Sequence, residues 1–281
     1  MLNIIKQLFQ TNIENISNIR KLSGGLSNEI YLINNKYIWK IFKNKYLFDH
    51  KSEKYILDKL EEYELYYYDD NNICYNYIEG SIISNDYLIT NLEQVVCLTK
   101  KYHSTKINSL ENFWFDILPI WINLLPQDLD FTNKDNLIDK YNLFSKKLQD
   151  NCNLNDIVLC HHDIHSGNII KNNNKLYLID LEFSFNNYYF VDLGNIICEL
   201  FTDYKKEVYN FKLIDDNIIL RVLKYYTNNK NINNADIDKI KLGIQMSHFY
   251  WCIWGILVNI NGKEADFDYI KFAKERFSFL N

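Results

Sequence analysis

Apolar and polar positions change rhythm near residue 80. Before it, runs rich in Ile, Tyr, Leu and Trp at 17–22, 29–33 and 37–42 are punctuated by Gly24-Gly25 and Asn34-Asn35, the spacing of strands joined by turns. Tyr55, Ile56, Leu57 and Leu60 then recur at helical spacing within 49–63. Two further strands are expected at 65–68 and 73–78, ahead of Glu79-Gly80. Beyond that point helices are predicted over 86–104, 113–125, 137–150, 192–204, 216–226, 236–260 and 266–279. One β patch interrupts them, 158–160 with 169–171 and 176–179. The pattern predicts an α+β chain in two lobes: a small β-rich lobe over 1–79, a hinge at 77–81, and a larger, mainly helical lobe over 80–281. Glycine is scarce, so its positions carry information: Gly24 and Gly25 between strands, Gly80 at the hinge, Gly167 and Gly194 in acidic loops.

Composition narrows the function classes. With 281 residues and 47% hydrophobic content, the chain is not disordered and has room for one large domain or two modest lobes. Its 31 basic and 36 acidic residues give a net charge of −5, without the basic footprint of a duplex-binding protein, so no nucleic-acid partner is expected. Six cysteines carry no C-x-x-C pair, which argues for free thiols in a reducing compartment over a disulfide framework or a zinc knuckle. Residues 1–10 lack the basic-then-apolar order of a signal peptide. The most apolar run, 251–260, is about half of the roughly 20 residues a membrane span needs. A cytoplasmic protein without membrane insertion is expected. Asn-rich runs at 172–174 and 228–234 could be solvated turns, but a low-complexity habit of an AT-rich coding sequence is the preferred reading, and no function is assigned to them.

Three constellations carry candidate chemistry. The loop Leu22-Ser23-Gly24-Gly25-Leu26-Ser27-Asn28 is either a plain turn or a backbone cradle for phosphate. Lys40, inside an apolar strand, is either outward and solvated or buried with a partner, for which Glu53 on the following helix is the candidate. The sharpest is His161-His162-Asp163-Ile164-His165-Ser166-Gly167-Asn168, followed by Leu178-Ile179-Asp180. Phosphoryl transfer needs one carboxylate to accept a substrate proton, and an amide with a second carboxylate to hold Mg²⁺. Asp163, Asn168 and Asp180 fit those parts. The rival is a zinc site made of His161, His162, His165 and Asp163, although that spacing lacks a recognised helical ligand geometry. Trp251 and Trp254 lie three residues apart on one helical face, suited to ordinary packing or to a cation–π wall.

The segment 161–168 with Ile179-Asp180 resembles the catalytic and metal-binding motifs of the protein-kinase-like superfamily. Within it, the chain is similar to choline/ethanolamine kinases and, more distantly, aminoglycoside phosphotransferases. The resemblance extends to residues 21–28, to Ile179-Asp180-Leu181-Glu182-Phe183-Ser184, to Phe190-Val191-Asp192-Leu193-Gly194-Asn195 continuing to Glu199, and to His248–Gly255, in order from about Lys21 to Phe279. It implies a two-lobed fold with ATP in the cleft and Mg²⁺ as the metal. It also implies Ser23, Gly24, Gly25, Ser27 and Asn28 in the nucleotide loop, Lys40 on the ATP phosphates steadied by Glu53, Asp163 as base, and Asn168 and Asp180 as Mg²⁺ ligands. Glu199, Tyr204, Trp251 and Trp254 would wall the substrate ammonium. Three positions depart from the family pattern: His162 where Asn is common, His165 where eukaryotic members often have Gln, and Phe272 where a pocket Tyr is common.

The expected activity is therefore phosphorylation of the hydroxyl of choline or ethanolamine, with the small amino alcohol as partner; a homodimer is compatible with this reading. The alternatives are an aminoglycoside-type phosphotransferase and a catalytically inactive kinase-fold binding module. The tryptophan pair disfavours the first and the intact Lys40, Asp163, Asn168 and Asp180 set the second. A protein kinase is disfavoured by the absence of D-F-G and A-P-E segments.

Overall fold

A computed structural model describes residues 2–22, 28–43, 45–47, 50–107, 109–262 and 267–280. The chain forms two compact units, Met1–Glu79 and Gly80–Asn281.

The first unit opens with a helix not anticipated from the sequence, α1 (Leu2–Asn12), followed by β1 (Ile19–Lys21), β2 (Glu29–Ile33) and β3 (Tyr37–Ile41). A short α2 (Lys51–Leu57) precedes β4 (Leu65–Tyr68) and β5 (Asn72–Asn76). The strands make one antiparallel sheet in the order β1-β2-β3-β5-β4. Asn34 and Asn35 turn the β2–β3 hairpin at φ 55° and 54°, the left-handed conformation that a tight hairpin demands and asparagine tolerates. Side chains alternate across the strand. Tyr37 and Trp39 of β3 therefore share one face, where Phe9 of α1 meets their rings at 5.3 and 6.1 Å. Lys40 takes the other face, on which α2 supplies its partner.

The second unit contains β6 (Ser81–Ile82), α3 (Asn85–Thr90), α4 (Leu92–His103), a wide π turn at Phe113–Ile117 running into α5 (Leu118–Leu124), and α6 (Lys134–Asn151). Next come β7 (Ile157–Cys160), β8 (Ile169–Asn172), β9 (Lys175–Leu178) and β10 (Phe185–Tyr188). The chain continues through α7 (Tyr189–Leu200), β11 (Thr202–Asp203), β12 (Val208–Tyr209), α8 (Asp216–Thr227), α9 (Asn234–Ile260) and α10 (Tyr269–Phe277).

Three expectations need correction. The helix forecast over 86–104 is two helices, because Asn91 leaves helical geometry at φ −113°, ψ 30° and turns its side-chain amide onto the Tyr87 carbonyl. The β patch is two sheets: β7 pairs antiparallel with β10, whereas β8 pairs with β9 and β6. Gly194 lies inside α7, not in a loop. A Cβ on Gly194 would strike the backbone of Gly243 in α9, and one on Gly243 would strike the Phe190 carbonyl. The two glycines let α7 and α9 approach to backbone contact. That approach places the buried face of α7 against α9, whose residues from Met246 to Val258 are all buried, the mark of a helix apolar all round. No helix among the described residues is long and apolar enough to cross a membrane.

Candidate active site

The loop from β7 to β8 is held from beneath by one buried carboxylate. Asp192, in the first turn of α7, accepts the backbone N–H groups of His161 and His162, each at 2.7 Å, and the Nε2–H of His103 at 3.0 Å. Burial works against its charge, but the His103 bond and the backbone donors prevail and hold the carboxyl below its usual range. His162 adopts φ 65°, a conformation costly for a side-chain-bearing residue unless its surroundings fix it. They do. Its carbonyl accepts the Tyr250 hydroxyl at 2.6 Å, its Nδ1 meets the Phe183 carbonyl at 2.8 Å and its Nε2 meets the Asn187 amide nitrogen at 2.9 Å. This network assigns a neutral ring with the proton on Nδ1. Burial, reinforced by His161 and His103, depresses its pKa to about 4.

The zinc alternative loses its ligands to hydrogen bonds. Besides the two committed nitrogens of His162, His161 donates from Nε2 to the Ile179 carbonyl at 3.0 Å and accepts the Asp163 N–H on Nδ1 at 3.3 Å. His165 Nδ1 accepts the Gly167 N–H at 3.1 Å. Among the described residues the ligand atoms that do converge belong to a different trio, His103, Cys160 and Asp192. It too is hydrogen-bonded: the Cys160 thiol donates to the Tyr188 carbonyl and His103 Nδ1 accepts from Tyr226.

On this frame sit Asp163, Asn168 and Asp180. The Asn168 amide nitrogen donates to both the carbonyl and the Oδ2 of Asp163, at 3.0 and 2.8 Å. Both amide hydrogens are thereby used on one residue, which leaves Oδ1 as the amide's coordinating atom. The Asn168 carbonyl accepts the Ile179 N–H at 3.0 Å, tying the loop to Asp180. Asp180 is left-handed, at φ 61°, ψ 67°, a strained state that clusters at functional sites. Oxygen donors of this type, an amide and a carboxylate, suit a hard cation such as Mg²⁺. Burial raises the Asp163 carboxyl to about 7; Glu199, Asp180 and Glu182 add to the rise and His165 opposes it. Asp163 therefore has a proton affinity far above that of an exposed carboxylate.

The third group is aromatic. The Trp251 and Trp254 rings meet edge to face at 5.0 Å and 86°, and Phe272 lies 6.4 and 6.1 Å from them. Phe272 is also 6.4 Å from the Tyr204 ring, and the Tyr204 hydroxyl donates to Glu199 Oε1 at 3.0 Å. Trp251 is oriented by its Nε1–H, which donates to Asn195 Oδ1 at 3.0 Å. That oxygen also accepts from Ser247, while the Asn195 amide donates to the Ile164 carbonyl at 3.4 Å. The structure thus brings Glu199, Tyr204, Trp251 and Trp254 together, and Asn195 links them to the loop that bears Asp163.

In the first unit, Lys40 is fully buried and its ammonium contacts both Glu53 oxygens, at 3.0 and 3.1 Å. Asn28 is buried and its Oδ1 accepts the Lys43 N–H at 3.0 Å. Ser23, Gly24, Gly25 and Ser27 lie outside the described residues. Sequence reasoning did not single out Asp192, Asn195 or Arg276. The first two were legible as polar residues three apart on one helical face within a family-like segment. Arg276, which donates to Glu199 at 2.8 Å, left no local signal.

Comparison with known proteins bears on this geometry. The chain is 28% identical over 155 residues to a probable choline kinase of Arabidopsis thaliana, covering 51% of this chain and 44% of that relative; it thus spans under half of that relative's length. It is 25% identical over 309 residues to a probable ethanolamine kinase of Dictyostelium discoideum, covering 92% and 83% of the two chains. In fold it is similar to the ethanolamine kinase of Plasmodium vivax, with a TM-score of 0.79 at 16% identity over 98% of this chain and 85% of the other. The fold is accordingly the protein-kinase-like α+β fold, with its five-stranded sheet in the N-terminal region and most of its helices in the C-terminal one. Residues 19–281 match the family model described as choline/ethanolamine kinase, and on that match the chain belongs to the choline/ethanolamine kinase family.

Proposed function

We propose that the chain transfers the γ-phosphoryl group of ATP to the hydroxyl of choline or ethanolamine. The observation that carries this reading is the Asp163–Asn168 arrangement, in which one amide nitrogen fixes the base, so that the amide oxygen would be the atom to hold a metal. In this reading residues 1–79 serve the nucleotide and residues 80–281 the chemistry and the acceptor. Lys40, held by Glu53, contacts the phosphates. Asp163 accepts the hydroxyl proton as the alcohol oxygen bonds to phosphorus and ADP departs with the electrons of the broken P–O bond. Asn168 and Asp180 would hold Mg²⁺, whose chemistry is to neutralise charge on the phosphoryl oxygens. Glu199, Tyr204, Trp251 and Trp254 orient the ammonium end, so that the hydroxyl is presented to Asp163. The free cysteines support a cytoplasmic setting.

ADP release from Mg-ATP tests the reading across choline, ethanolamine, their methylated intermediates and kanamycin. Release driven by the amino alcohols and abolished by EDTA is expected. Release driven by kanamycin alone, or undiminished in EDTA, contradicts it.

A further inference from the structure

The wall assigned to a substrate cation contains a cation of its own. Arg276, in the last turn of α10, is fully buried. Its Nη2 donates to Glu199 Oε1 at 2.8 Å, and its guanidinium carbon lies 4.9 Å from the Phe211 ring and 5.1 Å from the Phe272 ring. Nε and Nη1 meet no oxygen or nitrogen acceptor among the described residues, and the soft Cys198 sulfur is the further partner beside the guanidinium. Packing alone explains this poorly, since a buried ion pair with unmet donors is often no more stable than an apolar replacement of both partners. The same Glu199 oxygen also accepts the Tyr204 hydroxyl. The carboxylate facing the substrate wall is therefore already engaged by two donors, one of them charged.

We propose that Arg276 is a positioning residue that decides which ammonium alcohol the wall accepts, by engaging Glu199 and so favouring a quaternary ammonium over a primary one. This rests on the function proposed above and deepens it. A primary ammonium is a compact, strongly hydrated charge with three N–H donors, and it leaves water only for acceptors that replace its shell. Glu199 Oε1 is occupied, Phe272 carries no hydroxyl, and the guanidinium repels a second hard cation in a poorly screened interior. A trimethylated ammonium has no N–H to satisfy and gains its stabilisation from ring faces. Trp251, Trp254, Phe272 and Tyr204 supply such faces. Arg276 also fixes the Glu199 carboxylate in one place and offsets its charge, so that Oε2 alone is left for the N–H groups of a cation.

Tetramethylammonium and methylammonium, titrated against tryptophan fluorescence, probe the wall without ATP, and kcat/KM for choline and ethanolamine probes it with ATP. The parent protein is expected to bind tetramethylammonium at least about tenfold more tightly than methylammonium, with choline favoured over ethanolamine to a similar degree. In Arg276→Gln the ratio should narrow about tenfold, because Glu199 becomes available to N–H donors and the repulsion is gone. Arg276→Lys, which keeps the charge, should retain most of the preference. Equal binding of the two ions by the parent protein overturns the proposal whatever the stability of the variants. So does an unchanged ratio in folded Arg276→Gln. If tetramethylammonium is preferred but no alcohol is phosphorylated, the kinase reading falls and the selectivity stands. If choline and ethanolamine are phosphorylated equally, the kinase reading stands and the role of Arg276 falls.

Discussion

Each of the two units buries an ion pair between a basic residue and a glutamate at its candidate site, and the two are built differently. Lys40 and Glu53 are 13 residues apart, and the ammonium contacts both carboxylate oxygens. Arg276 and Glu199 are 77 residues apart; the guanidinium reaches one oxygen, shares it with Tyr204, and has two nitrogens without an oxygen or nitrogen acceptor among the described residues. The first pair holds a cation in one position, as the phosphate-contacting role proposed for Lys40 requires. The second adjusts the charge of a carboxylate placed beside aromatic rings. A buried carboxylate does not by itself advertise a site for a substrate cation. Its role depends on which cation of the protein has already claimed it.

Breaking the first pair should affect activity and stability together. In Lys40→Met, activity is expected to fall about 10²–10³-fold, the usual loss when one preorganised electrostatic contact to the reacting group is removed. Stability should fall by about 3–5 kcal/mol, since the buried Glu53 carboxylate loses the ammonium that contacts both of its oxygens. In Lys40→Met/Glu53→Leu, denaturant unfolding should show most of that stability restored, while phosphoryl transfer stays lost. A double variant with near-parental kcat would show the pair to be packing only.

A smaller effect separates the units by pH. His162, in the second unit, has a folded pKa of about 4 because burial disfavours its charge, against about 6.5 when unfolded. Between these values the unfolded chain binds the extra proton, so the contribution is complete above the unfolded value and is lost as pH falls toward the folded one. Unfolding free energy should drop by about 2 kcal/mol from this residue between pH 7.5 and 5. His161 and His248, also depressed by burial, act in the same direction. The pH slope in urea should be shallower in His162→Gln. An identical slope in that variant would mean that the ring is not held neutral by the fold.

These contrasts also explain what the sequence disclosed. The strands β2 and β4 fall on the apolar runs at 29–33 and 65–68, because alternation and flanking turn residues are local signals. Lys40 and Glu53 could be matched because strand and helix adjoin in sequence. The β7–β10 pairing was missed because it joins strands separated by a whole hairpin. The N-terminal helix was overlooked although Ile5, Leu8 and Phe9 carry its spacing. The residues Asp163, Asn168 and Asp180 could be named from their order and chemistry, but not the Asp192 carboxylate that holds their loop. Arg276 was illegible for a stronger reason. Nothing near it in the chain signals a buried charge, and its partner lies on another helix.

Single-turnover and steady-state phosphorylation of choline by Asp163→Asn test the central claim most directly. The substitution keeps the shape that Asn168 holds and removes the proton acceptor, so ATP binding should persist. Phosphoryl transfer should fall about 10²–10⁴-fold. Turnover within about threefold of the parent, with nucleotide binding intact, would contradict Asp163 as the base.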